Sequence, residues 1–572
     1  MRCRISRVEN LTLVPYQSQR SKIGNPDGLS RLFSRFSTRV SSLSDTVRSA
    51  TTKHFGRCKE QEPRQTQELN DSQDATNDVS SPHDLIPWID LLPPELLAAI
   101  FQEYVELGRS PWNLACVCVK WREVALGIAV LWKHLLVIDN PGMVRRFTNQ
   151  QVPGYRNRLI FGRFQICMTA EQVDDAVSRT GSVLLDVKIA LSQQKDPDVL
   201  PANNSLDLLL KVFGTNGIHR RIGSISIYGL PSTVPSFPQP LIASFPYLNS
   251  FTCTTGSTEW FPLIGQMLSP SRGLTYLRLN ARFLDVVKHS EFWGTLQDLH
   301  VGESALADPH VCEIAANTAL SRCQRLESLH IGTATRWPNA NSPTVSHNKL
   351  LNAQLHCHPR YLGQLRAPLL KILDITEFQQ STECTSVDTS GFPAVEKLTA
   401  WTSDPRWIYG SKFSNLISLS ITSPYHRIVA DTHWGGVPPN EVFVPNAFPL
   451  VEEVKFHVAS TDITFIAALE SVPNAQKITI VPGVLPNPNF GQDLLPRLSG
   501  PEPFVICPKA QRIQIGIRLE CLDASKDILE PLVQTVVDDR QRGGSPLESF
   551  IIYWPRPILM KEYVKHEGDV VG

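Results

Sequence analysis

The pattern apolar-Pro-x-apolar-x-x-apolar-x-apolar occurs six times, at Phe245–Cys253, Ala367–Ile375, Phe392–Ala400, Phe448–Phe456, Val472–Ile480 and Cys507–Ile515. In a chain of 572 residues with 42% apolar content, residue frequencies give about one such match by chance, so six mark internal repetition. The last two apolar positions lie two apart, the spacing of one face of a β-strand. Each proline is expected at strand entry, where no ladder donor is needed. Length alone permits two to four ordinary domains, and repetition of one strand unit favours a long array instead.

A looser form, apolar-x-x-apolar-x-apolar, recurs in LTYLRLN, LQDLHVG, LESLHIG and LISLSIT and resembles the strand signature of leucine-rich repeats. Helix-compatible segments such as DPHVCEIAANTALSRC and DITFIAALESV lie between strands, and unit starts are about 21 to 44 residues apart. The expected fold class is α/β: an irregular leucine-rich-repeat-like solenoid over 140–557, with a generic parallel α/β domain as the alternative. The loops TATRWPNANSPTVSHN and HRIVADTHWGGVPPNEVF are expected as insertions on one rim.

Alternation sends the residue between the last two apolar positions out onto the concave sheet. That row is Arg278, His300, His330, Asp374, Thr399, Ser420, Lys455, Thr479 and Gln514. Arg278, His300, His330, Asp374 and Lys455 are the expected target contacts. Mixed polar groups suit a protein ligand better than a nucleic acid, which wants a continuous basic stripe. His300 and His330 belong to consecutive units, so like charge developing there is expected to weaken capture below about pH 6.5.

Upstream, LLPPELLAAIFQEYV (Leu91–Val105) opens with prolines suited to a first helical turn and carries Glu95 near the positive end of the dipole. Leu96, Leu97, Ile100, Phe101 and Tyr104 are expected on one face. A second helix, SPWNLACVCVKWREVAL, is expected to present Leu114, Val117, Cys118, Trp121 and Ala125, and a third short segment supplies Leu131, Trp132 and Leu135. Three helices this short usually need a partner, metal or staple, and with no metal ligands or cysteine bridges evident a protein partner is expected.

The order and spacing of Leu92, Pro93, Glu95, Leu96, Leu97, Ile100, Phe101, Val117, Cys118, Trp121, Arg122, Ala125, Leu131 and Trp132 resemble the F-box, here over 86–138. Val119 replaces the usual arginine after the cysteine, and Val130 the usual proline before Leu-Trp. The resemblance implies an F-box protein of fungal type that docks on the Skp adaptor of a Skp–cullin–F-box ubiquitin ligase. Its adaptor contacts would come from Leu92, Pro93, Glu95, Leu96, Leu97, Ile100, Phe101, Val117, Cys118, Trp121, Leu131 and Trp132.

Elsewhere the sequence mainly excludes. Lys plus Arg equals Asp plus Glu at 55 each, so no global field draws the chain to nucleic acid or an anionic membrane. No apolar run is long enough to span a bilayer and no signal h-region opens the chain, so a cytoplasmic or nuclear protein is expected. Twelve cysteines without a CxxC pair fit reduced thiols. Residues 1–80, basic then polar, are expected to be a disordered tail, with a basic amphipathic stretch at 29–47, and 558–572 a C-terminal tail. Phosphate-loop, dinucleotide, zinc-protease and nucleophile-elbow motifs are missing. DTSG at Asp388 reads as a polar turn and HCHP at His356 as a loop pair. No catalytic residue, metal or cofactor is expected. The reading is a non-catalytic substrate receptor holding an unknown target protein, with an F-box scaffold lacking a ubiquitin role as the alternative.

Overall fold

Strands of five or so residues begin at nearly every expected unit and pair side by side in chain order. The structure, a computed structural model, describes residues 92–140, 163–191, 203–214, 217–230, 245–254, 258–302, 309–332, 337–377, 386–423, 439–458, 462–482, 490–499, 505–516, 522–555 and 558–563. These lie in one compact unit. The basic tail, the amphipathic stretch at 29–47 and most of the loop 426–443 lie outside the described residues.

Three helices come first: α1 (Pro94–Glu106), α2 (Pro111–Ala115) and α3 (Val119–Gly127). The expected second helix is two. Cys118 is extended, at φ −156° and ψ 174°, and its Sγ accepts from the Trp121 N–H at 3.4 Å, so it caps α3 where continuity was expected.

The sheet has 17 strands. They are β1 (His134–Ile138), β2 (Gln165–Cys167), β3 (Leu185–Ala190), β4 (Ile222–Gly229), β5 (Ser250–Cys253), β6 (Tyr276–Asn280), β7 (Asp298–Gly302), β8 (Ser328–Ile331), β9 (Asn352–His356), β10 (Ile372–Thr376), β11 (Lys397–Trp401), β12 (Ser418–Thr422), β13 (Glu453–Val458), β14 (Lys477–Pro482), β15 (Arg512–Gly516), β16 (Ser549–Pro555) and β17 (Ile558–Tyr563). Beyond β2, at one edge beside β1, spatial order follows chain order, and every pair is parallel except β16 and β17. Two segments differ from the expected divisions. Leu135, placed with the helices from sequence, is in β1, and Ile558–Tyr563, placed in a tail, is the last strand.

The repeated proline has another job than the one expected. It stands at the second position of a tight turn ahead of the strand, closed by the N–H of the residue two further on. Leu248 donates to Phe245 O, Leu370 to Ala367 O, Val451 to Phe448 O, Ala475 to Val472 O and Ala510 to Cys507 O. Proline is favoured there because its fixed φ presets the turn. At the strand entrances a single carbonyl then accepts two N–H groups of the next unit. Asn249 O receives Thr275 and Tyr276, Gln297 O receives Glu327 and Ser328, and Gln476 O receives Gln511 and Arg512.

Inward apolar side chains and the helices behind them form one continuous core from Leu135 to Ile552, while the three N-terminal helices keep a separate core around Phe101, Trp121 and Trp132.

Candidate functional site

Two surfaces concentrate the chemistry: the outside of the helical domain and the polar face of the sheet. In the helical domain Leu97, Phe101, Trp121, Leu131 and Trp132 are buried. Phe101 and Trp121 pack at 4.9 Å between ring centres, Trp112 stands edge-on to Trp132 at 4.7 Å, and Trp132 Nε1 donates to Ala125 O at 2.8 Å. These five expected adaptor contacts hold the domain's shape and have little surface to offer a partner. Pro93, Glu95, Leu96 and Val117 are exposed, and Leu92, Ile100 and Cys118 half-buried. The α1 face also shifts: Leu97, Phe101 and Val105 point inward, and Leu96 is 54% exposed.

Sequence reasoning missed further exposed apolar groups at Leu107, Trp112, Val119 and Leu126. Val119, where the arginine was expected, is 68% exposed. An apolar residue in an otherwise polar helix turn was the available signal. With Leu96 and Val117 these make six exposed large apolar side chains on this domain among the described residues.

Toward the sheet, Gln165 Nε2 donates to Trp132 O, Arg179 donates to Gln165 Oε1 at 2.9 Å, and its guanidinium lies 5.1 Å from the Trp112 ring centre. The helix Ala170–Ser178 that precedes Arg179 thereby ties the helical domain to the first repeat.

On the sheet all nine expected outward residues fall in one row, completed by Thr252 on β5 and Gln354 on β9. Direct pairing runs Thr252, Arg278, His300, His330, Gln354, Asp374, Thr399, Ser420, Lys455, Thr479, Gln514. Arg278, His300 and His330 are adjacent. Asp374 lies two strands beyond His330, and Lys455 three beyond Asp374. The imidazoles of His300 and His330 stack with centres 3.7 Å apart and planes 26° apart, and His330 Nδ1 bonds Gln354 Oε1 at 2.5 Å. Burial, then His330 and Arg278, press His300 down to about 3, so it stays neutral near pH 6.5. Burial foremost, and the neighbouring His330 second, thus oppose the expected build-up of like charge on this pair near that pH.

Lys188 on β3 lies further along, its ammonium 4.3 Å from the Phe164 ring centre, and burial pulls it down to about 8. In HCHP, His358 Nδ1 accepts from Arg360 N as the cap of a short helix and Cys357 is buried. Asp388 accepts from Ser390 N in a turn. Among the described residues no three His, Cys, Asp or Glu side chains are arranged to hold a metal, and no helix is long and apolar enough to cross a membrane.

Residues 89–137 match a protein-family model described as F-box-like. No curated protein matches the chain. A protein from Bacteroides fragilis of known crystal structure is similar over 44% of this chain and 67% of its own, at 15% identity and a TM-score of 0.30. The three helices, their closed aromatic core and the match over 89–137 together identify an F-box-like domain, and a leucine-rich-repeat-like solenoid follows it.

Proposed function

We propose that the chain is a non-catalytic substrate receptor of a Skp–cullin–F-box ubiquitin ligase, acting in the cytoplasm or nucleus. The F-box-like domain docks on the Skp adaptor, the outward row of the solenoid holds a target protein, and ubiquitin transfer is carried out elsewhere in the complex. The observation that carries this reading is the exposed apolar surface of the helical domain, with Leu96 at 54% and Val119 at 68%, on the segment that matches the F-box-like family. Exposed apolar side chains are the surface such a domain offers a partner, so Leu96, Val117 and Val119 are the leading contacts, with Pro93 and Glu95 close to Leu96 in sequence.

The test is adaptor pull-down with Leu96→Asp and Val119→Asp together. Capture should fall at least about tenfold, the loss expected when two apolar anchors are removed, with the thermal melt unchanged. Undiminished capture rejects the reading. Charge reversal at Arg278, His330 and Lys455 should spare adaptor capture and abolish target capture. Adaptor retained without a cullin would instead indicate a scaffold.

A further inference from the structure

The row holds unlike groups at one place. From β6 to β8 it presents a guanidinium and two stacked imidazoles, all partly open to solvent. The next position outward on β7 is Gly302, paired with Asn280, and a Cβ there would meet nothing nearer than Leu279 O at 3.6 Å. Among the described residues, nothing therefore fills the space beside the rims of the two rings at that position.

Among the described residues, the other charged and titratable groups near His300 on this face are Tyr276, Asp298, His356 and Asp374. Tyr276 shares β6 with Arg278, and Asp298 precedes His300 on its own strand with its pKa raised by burial. His356 on β9 stands 6.3 Å from His330 between ring centres. Asp374 is three strands away, or about 14 Å at the usual strand spacing.

We propose that Arg278, His300 and His330 form a pocket for a single carboxylate side chain, an aspartate or glutamate of the target, and that its affinity rises as pH falls. This deepens the receptor reading and rests on it. Arg278 supplies the one permanent positive charge, enough for a monoanion and short of what a phosphate dianion draws. Asp374 repels a second acidic residue further along, so the pocket selects an isolated acid rather than an acidic run.

The proton linkage follows from the stack. In the free chain burial, His330 and Arg278 keep His300 neutral. A carboxylate set against the rings favours the charged imidazole, so the complex takes up a proton and gains affinity below the pKa it acquires.

The test uses the full chain and a fluorescein-labelled Glu-Ser-Gly-Ser repeat peptide, with Gln and phosphoserine versions, followed by anisotropy. The Glu peptide should bind at least about fivefold tighter at pH 5.5 than at pH 7.5, the Gln peptide should not bind, and Arg278→Gln should lose binding at both. His300→Phe with His330→Phe keeps a ring stack and should erase the pH gain. Calorimetry of the unaltered chain in two buffers of different ionisation heat should show proton uptake on binding, a readout that survives misfolding of any variant. No binding, indifference to Arg278→Gln, preference for phosphoserine, a pH gain that persists in the phenylalanine pair, or zero proton uptake would each overturn the pocket. Adaptor capture, measured in parallel, reports separately on the receptor reading.

Discussion

Trp132 leaves none of its side chain to solvent, and Leu96, on the same small domain, leaves more than half. The two should therefore fail differently. Trp132→Ala opens a cavity in a core of nine buried side chains among the described residues and should cost about 3–5 kcal/mol in a denaturant melt. Any adaptor binding it loses will follow loss of the domain, whereas Leu96→Asp should act without it. Gly265 carries a second residue-scale prediction. A Cβ there would lie 2.4 Å from Val286 Cγ1, and valine is too stiff at χ1 to swing clear. Gly265→Ala should destabilise the chain by about 1–3 kcal/mol, and Val286→Ala in the same chain should recover most of that. A melt of the double variant no better than the single one would refute the contact.

Asp462 opens the helix Asp462–Glu470 and reaches the start of the helix Leu494–Ser499, joining two elements of adjacent units. Its buried carboxylate accepts from the N–H groups of Gly491, Asp493 and Leu494 at 2.9 to 3.1 Å. Asp462→Asn replaces one of the two accepting oxygens with an amide donor that faces the Gly491 N–H and should cost about 1–3 kcal/mol. Hydrogen exchange should quicken first at residues 491–494, and uniform quickening along the chain would contradict the link. Such ties between elements far apart in sequence leave no periodic trace, and none was legible. The strand register was legible, because alternation fixes which side chain faces out and a slip of one residue would bury Arg278 or His300. Gln354 escaped notice because its strand carries Ala353 where the strands on either side carry Leu329 and Leu373. In α1, Leu96 and Leu97 both border the apolar stripe, and helical period alone cannot choose which one turns inward. The break before α3 was missed because cysteine is a weak cap beside serine or aspartate.

Among the described residues, burial shifts several histidines toward the neutral form. His134 and His347 are lowered from their ordinary value and His300 is brought to about 3. Near pH 6.5 the unfolded chain binds protons at these sites more readily than the folded chain does. Their contribution to stability is thus complete above about pH 6.5 and is lost as pH falls below it, toward about 3 for His300. The melting temperature should drop between about pH 7.5 and pH 5, and His300→Phe should shallow the drop. An unchanged slope would remove His300 from the cause. The row of outward residues sets a further condition, one of pitch. Neighbouring strands repeat about every 4.8 Å, and an extended peptide laid across them repeats about every 3.4 Å. Only alternate peptide residues face the row, so the two scales slide past each other like the marks of a vernier and coincide only about once in seven strands and ten peptide residues. Arg278, Asp374 and Lys455, four and three strands apart, would then sample a straight ligand at wide intervals and ignore most of what lies between, so that a receptor reading its ligand through this row would tolerate many sequences sharing a few well-spaced charges.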